Sequence, residues 1–222
     1  MIKHPMFVIL SSILCVVAGF LMKSSYIEIV ASIVGIINVW FLARQNVINF
    51  FFGIITVACF MYIYFQTGLY AMVILSFIQL LFNVYGWYYW VKNKGEEDVL
   101  PTKILSVQGK FIWGGVILIG TMVWAFFQIQ YTDAASPYLD SLVAVMGLVG
   151  QYLLSKKLLD NWYLWIAMNI ILTIVYATTG LYVMIILSLI NLLISIDGML
   201  EWKRNYEQHQ EKSVGLDQLE RM

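Results

Sequence analysis

The chain has 222 residues, 61% of them hydrophobic and only 12% charged, with thirteen basic residues against thirteen acidic ones. An ordinary soluble domain carries about 25% charged residues. The composition therefore excludes a water-soluble globule and points to an all-α integral membrane protein for which no nucleic-acid partner is expected.

The uncharged runs place the elements in chain order. They are Pro5 to Met22, Ile29 to Ala43, Gln45 to Val91, Phe111 to Thr132, Ser141 to Ser155 and Asn161 to Ile196. A helix needs ~20 apolar residues to cross a bilayer, so the 47-residue and 36-residue runs each hold two crossings. Those two runs divide at Gln66-Thr67-Gly68 and Thr178-Thr179-Gly180, because glycine readily ends a helix. The three prolines, Pro5, Pro101 and Pro137, stand at or outside helix ends, where the missing N–H costs least. Eight helices are predicted, over 5–22, 27–43, 47–65, 69–91, 111–130, 139–155, 161–178 and 181–202.

The first helix has no small-residue cleavage site before Lys23 and reads as a membrane span rather than a signal peptide. Cys15 and Cys59 both lie in apolar helices and read as small core residues. With eight crossings, twelve of the thirteen Lys and Arg collect on one side and Lys23 stands alone on the other. Short positive loops stay in the cytoplasm, so both termini are expected there.

Sliding the sequence against itself by 112 residues superposes 35–93 on 147–205 without a gap, with 19 of 59 positions identical. The best stretch, Thr67 to Leu81 against Thr179 to Leu193, is identical at 11 of 15. Shared apolar composition explains scattered leucines, but not the matched pairs Asn49/Asn161, Gly86/Gly198 and Trp90/Trp202. The second repeat begins four crossings after the first, and an even shift preserves direction. The expectation is two parallel three-helix bundles joined by a linker helix, 3+1+3, plus one extra N-terminal transmembrane helix. The boundaries are 1–24 for the extra helix, 25–93 for the first repeat, 94–134 for loop and linker helix, 135–204 for the second repeat and 205–222 for a polar tail. Parallel repeats place a solute site near the midplane between the halves.

Polar residues in a membrane are candidates for such a site, although many only join helices together. Trp162, Trp165 and Asn169 recur at i, i+3 and i+7, which puts two indoles and an amide on one helix face. That stripe suits a planar ring with one polar edge. Interfacial anchoring of the tryptophans and plain core packing are the competing readings. Gln151 on the preceding helix and Asn38 on the corresponding helix of the first repeat add amides, as do Asn49, Gln79, Asn83 and Asn191. Tyr85 and Tyr182 complete the candidate set. These groups fit an uncharged or delocalised cationic organic solute, and no metal or cofactor is expected. A carboxylate, Asp197, lies inside the last helix, where pairing with Lys203 or Arg204 is favoured over a solvated interfacial position or a proton or cation site.

No G-x-x-x-x-G-K-[ST] or H-E-x-x-H pattern is present, and His4 and His209 lie in the tails, so neither an ATP-driven pump nor a metalloenzyme is expected. A non-transporting membrane scaffold or receptor is the alternative from another class.

Asn49-Phe50-Phe51-Phe52-Gly53, Gly68-Leu69-Tyr70-Ala71, the run Asn83 to Trp90, Asp140-Ser141-Leu142 and Asn161 to Asn169 together resemble the PnuC family of bacterial vitamin transporters, over residues 27 to 204. The resemblance implies a SWEET-like 3+1+3 fold, a homotrimer in the bacterial inner membrane, and nicotinamide riboside as substrate. It further implies facilitated diffusion, with cytoplasmic phosphorylation trapping the product, and substrate contacts from Trp162, Trp165 and Asn169. Ser76 and Leu187 depart from relatives that carry a Gln and a carboxylate there, which keeps thiamine, riboflavin and other nucleoside-like vitamins as alternatives.

Overall fold

A computed structural model describes residues 4–21, 23–66, 70–95, 99–132, 136–179 and 182–220, with side chains described except at 70–71, 178–179, 182–184 and 213–220. The predicted breaks at Thr67-Gly68 and Gly180 fall outside these residues. Among those described, eight helices follow one another: α1 Pro5–Leu21, α2 Tyr26–Ala43, α3 Asn49–Gln66, α4 Tyr70–Asn93, α5 Val107–Tyr131, α6 Pro137–Ser155, α7 Asn161–Thr179 and α8 Tyr182–Glu220. Six are long and apolar enough to cross a membrane, and Pro5–Leu21 and Asn161–Ala177 are shorter apolar helices.

Local chemistry sets several boundaries. Ser25 caps α2 through a capping box: its backbone N–H donates to Glu28 Oε2 at 2.9 Å, and its hydroxyl accepts from the Glu28 N–H at 3.4 Å. Ser106 caps α5 by accepting from the Gly109 N–H at 3.1 Å, and Pro137 stands in the first turn of α6. The last helix differs from expectation, because α8 runs on to Glu220 instead of ending near 202. Charge pairs of helical spacing carry it past the apolar stretch: Arg204 with Glu201 at 3.6 Å and Lys203 with Glu207 at 3.8 Å.

Helices consecutive within each repeat pack together, α2 on α3 on α4 and α6 on α7 on α8. Between repeats, α4 packs on α6 and α2 on α8, while α5 packs on α6 and α1 on α2 and α8. The outer faces are apolar. Phe111, Ile112, Leu118, Ile119 and Phe126 of α5 are all exposed, a liability in water and a match to lipid tails.

The core gathers at the end of the helices that collects the basic residues, and it is built twice. Phe50 meets Trp90 edge-on, with centroids 4.9 Å apart at 88°. The positions 112 residues later, Trp162 and Trp202, meet edge-on at 5.5 Å and 90°. Gly86 leaves room for the Phe50 ring and Gly198 for the Trp162 ring. Each terminal indole then bonds across to the other repeat: Trp90 Nε1 donates to the Leu154 carbonyl at 3.3 Å, and Trp202 Nε1 to the Leu42 carbonyl at 3.1 Å. Leu42 and Leu154 are themselves equivalent under the 112-residue shift. The turns that follow are also matched, since Gln45 and Lys157 both adopt φ of 59°, a left-handed conformation uncommon outside glycine.

The segment between α4 and α5 crosses this end as a strap. Lys103 N–H donates to the Lys157 carbonyl at 3.0 Å, and its own carbonyl accepts from Leu159 N–H at 2.8 Å. Asp160 accepts from the Leu105 N–H at 2.7 Å and pairs with Lys110 at 3.5 Å. Asp197 pairs with Arg44 at 3.6 Å, not with Lys203 or Arg204. Those two point along α8 to Glu207 and Glu201, whereas Arg44 ends α2, the helix packed against α8.

Candidate functional site

A cavity of about 260 Å³ opens between the repeats, near the small end of the ~300–1,000 Å³ usual for ligand pockets. Asn38, Val39 and Leu42 of α2 form one wall, and Gln151 and Leu154 of α6 another. The face of α7 supplies Trp162, Trp165, Met168, Asn169 and Leu172, and α8 closes the space with Asn191 and Ser195. These lining residues include four side-chain amides, two indoles and no charged group.

Two of the polar groups are fixed by their own helices. Asn169 donates to the Trp165 carbonyl at 2.8 Å, which sets the plane of its amide. Ser195 donates to the Asn191 carbonyl at 2.7 Å. The indole nitrogens of Trp162 and Trp165 are both buried and make no hydrogen bond among the described residues. A buried donor left unmet costs about 1–3 kcal/mol, so these N–H groups favour a partner that brings an acceptor.

Trp162 is fully buried and meets Trp202 edge-on, and Trp202 in turn borders a second feature. Lys157 is also fully buried; its Nζ lies 3.8 Å from the Trp90 ring centroid and 4.3 Å from that of Trp202. Its ammonium has no hydrogen-bond partner among the described residues, and burial pushes its pKa well below the ordinary lysine range. Attraction to a ring face is worth about 2 kcal/mol or more once desolvated. The neighbouring Lys156 instead donates to the Tyr85 hydroxyl, a bond that raises its pKa while burial opposes the rise.

Of the sequence candidates, Trp162, Trp165, Asn169, Gln151, Asn38 and Asn191 come together around the cavity. The others stand elsewhere. Asn49 is buried and donates to the Asn46 carbonyl at 2.7 Å, tying down the start of α3, as Asn161 does for α7 by donating to Leu158. Asn83 donates to the Gln79 carbonyl at 3.0 Å and packs its own carbonyl against Gly53, behind Asn38. Gln79 lies against Gly147 where α4 meets α6. Tyr85 sits at the basic end with Lys156, outside the cavity. Tyr182 lies outside the described side chains. The lining residues outside the sequence candidates are Val39, Leu42, Leu154, Met168, Leu172 and Ser195; all but Val39 stand three or four residues from a candidate on the same helix, a spacing that places them on the same faces.

The sequence model described as nicotinamide mononucleotide transporter matches residues 25–204. The nicotinamide riboside transporter PnuC of Escherichia coli (strain K12) is 29% identical over 203 residues, covering 80% of this chain and 85% of that protein. The nicotinamide riboside transporter PnuC of Haemophilus influenzae is 27% identical over 187 residues, covering 81% and 80%. That of Neisseria mucosa is 24% identical over 200 residues, covering 83% and 74%. The crystal structure of the vitamin B3 transporter PnuC superposes with a TM-score of 0.75 at 22% identity over 91% of both chains, a likeness of fold.

Proposed function

Because the chain belongs to the nicotinamide mononucleotide transporter family, we propose that it carries nicotinamide riboside into the bacterial cell across the inner membrane. The observation that carries this reading is the cavity wall of two indoles and four amides with no charged side chain. Nicotinamide riboside is a planar pyridinium cation bearing a carboxamide and a sugar. Its ring gains about 0.5–2 kcal/mol from each indole face. Its carboxamide and hydroxyl oxygens give the unmet Trp162 and Trp165 N–H groups acceptors, and Asn38, Gln151, Asn169 and Asn191 provide both donors and acceptors. A mononucleotide would bring a phosphate dianion, for which this lining offers no cationic partner. Thiamine, another flat cation, is the closest chemical rival.

The arrangement that serves this function is a SWEET-like 3+1+3, with α2 to α4 and α6 to α8 as parallel bundles, α5 as linker and α1 as an addition. The boundaries at 25–93, 94–134 and 135–204 belong to this reading, supported by the packing of α2 on α3 on α4 and of α6 on α7 on α8, and the basic end faces the cytoplasm together with both termini. Rocking of one bundle against the other would expose the cavity to each side in turn, by uniport, and phosphorylation inside would trap the product. Assembly is as a homotrimer.

Uptake of labelled substrate by proteoliposomes tests this. Wild-type vesicles should fill to equilibrium, and beyond it only when a riboside kinase and ATP are sealed inside. Accumulation above equilibrium without kinase, driven by an ion gradient, would overturn uniport. Tighter binding of thiamine than of nicotinamide riboside in a titration would overturn the substrate.

A further inference from the structure

A second cavity of about 410 Å³ lies at the opposite end of the same helices. The two share walls. On α7, Leu172 lines the inner cavity and Tyr176, four residues on, lines the outer; on α8, Asn191 lines the inner and Ile190 the outer. One helical turn, ~5.4 Å, therefore separates them along α7. Thr173 and Ser188, bonded hydroxyl to hydroxyl at 2.8 Å, tie α7 to α8 beside the partition.

The outer cavity has its own chemistry. Tyr64 and Tyr176 both line it, and they are equivalent under the 112-residue shift. Phe60, also in the wall, stacks on Tyr64 at 5.9 Å and 18°. Among the described lining residues Glu28 is the one carboxylate, and it is exposed. The capping bond from Ser25 to Oε2 fixes its position. The inner cavity has ring faces and amides without charge, whereas the outer one adds an anion at its edge to a pair of stacked rings. A carboxylate beside aromatic faces selects a planar organic cation over a neutral or anionic solute.

We propose that the outer cavity is a waiting site for the planar cation, with Glu28 as its electrostatic anchor and the Phe60–Tyr64 stack as its ring wall. The proposal rests on the transport reading above. The cation settles first beside Glu28 and then passes Tyr64 and Tyr176 to the inner indoles. The extra helix α1, through Leu14, Cys15 and Ala18, supplies the far wall and so gives the outer site its shape.

Glu28→Gln isolates the charge, since the amide oxygen still accepts the Ser25 bond and keeps the cap. In proteoliposomes the half-saturating concentration of nicotinamide riboside should rise about two- to five-fold, the range of a solvent-exposed ion pair. That for its uncharged 1,4-dihydro form should not change. Equal effects on both compounds, or none on either, would overturn the outer site. Wild-type vesicles that take up neither compound would overturn the transport reading together with it. A second measurement is independent of transport: in a Cys59→Ser protein, Cys15 should react faster with a trimethylammonium-ethyl methanethiosulfonate than with the sulfonate analogue, and Glu28→Gln should shrink that ratio. A ratio unchanged by Glu28→Gln, or a Cys15 that neither reagent reaches, would overturn the proposal.

Discussion

In the first repeat the second helix opens with Asn49 and Phe50 and continues through Gly53 and Val57, where the second repeat has Asn161, Trp162, Trp165 and Asn169. The opening asparagines do the same work in both, each bonding the turn before its helix. The rings that follow also sit alike, edge-on to Trp90 and Trp202 over a glycine. One turn further the likeness ends. Gly53 brings the backbone of α3 against Asn83 and Asn38, while Trp165 fills the corresponding place on α7 and lines the cavity. Duplication has kept the contacts that hold the halves together and has left one helix free to acquire a binding face.

The glycine pair tests that difference most severely. A methyl group at Gly198 would strike the Trp162 ring, and one at Gly86 the Phe50 ring and Ser155. Both Gly198→Ala and Gly86→Ala should destabilise by about 1–3 kcal/mol through overpacking, read as lower melting temperatures in detergent. Gly198→Ala alone should also weaken nicotinamide riboside binding, by more than tenfold, because Trp162 lines the cavity and Phe50 does not. Comparable loss of binding in Gly86→Ala would break the comparison.

Trp165→Ala and Asn169→Ala come next. Each should raise the Kd about tenfold, within the ~2 kcal/mol reach of a desolvated ring or amide contact, in a protein that still assembles. Val57→Ala, the first-repeat counterpart of Asn169, should leave the Kd unaltered in the same titration.

The reciprocal indole bonds sharpen the comparison from the other side. Trp90→Phe and Trp202→Phe each remove one N–H···O=C bond, so each should cost about 1 kcal/mol. Equal losses are expected, and a large inequality would mean that the two bonds differ in kind despite their matched geometry.

The smallest effect separates Lys157 from its counterpart Gln45. Burial lowers the Lys157 pKa in the folded state, so between that value and the ordinary 10.5 the unfolded chain holds more protons. Stability should therefore rise with pH across that window. Lys157→Met should flatten this part of the melting-temperature profile while leaving the rest, and an unchanged slope would show that the group is not the source.

Much of the fold was legible in the sequence because membrane helices announce themselves by length and lack of charge. Residues 161 to 179 formed a helix as expected, and so did the linker helix, which begins four residues before its predicted start because Ser106 caps it. The end of α8 was not legible from hydropathy, since its continuation is polar and rests on pairs such as Arg204 with Glu201. At the candidate site, periodicity found the α7 stripe. Polarity alone was a poorer guide, because an amide in a membrane bonds its own helix or turn as readily as a ligand, as Asn49 and Asn83 do. The partner of Asp197 was missed for a related reason. Nearest in sequence are Lys203 and Arg204, but Arg44 arrives through the packing of α2 on α8, a contact between residues far apart in the chain.

The crossed indole bonds have one more implication. Trp90 serves Leu154 and Trp202 serves Leu42, so a residue in each half does for the other what its equivalent does in return. That is the relation found across the two-fold interface of a symmetric dimer, here enclosed in a single polypeptide. Neither half is closed by its own residues: severed from its partner, each would be left with an unanswered indole donor, while the Leu42 and Leu154 carbonyls would keep only turn N–H donors such as those of Gln45 and Lys157. An ancestor with one copy of the repeat would have met this need by pairing with itself, and fusion into one chain released the two copies to differ.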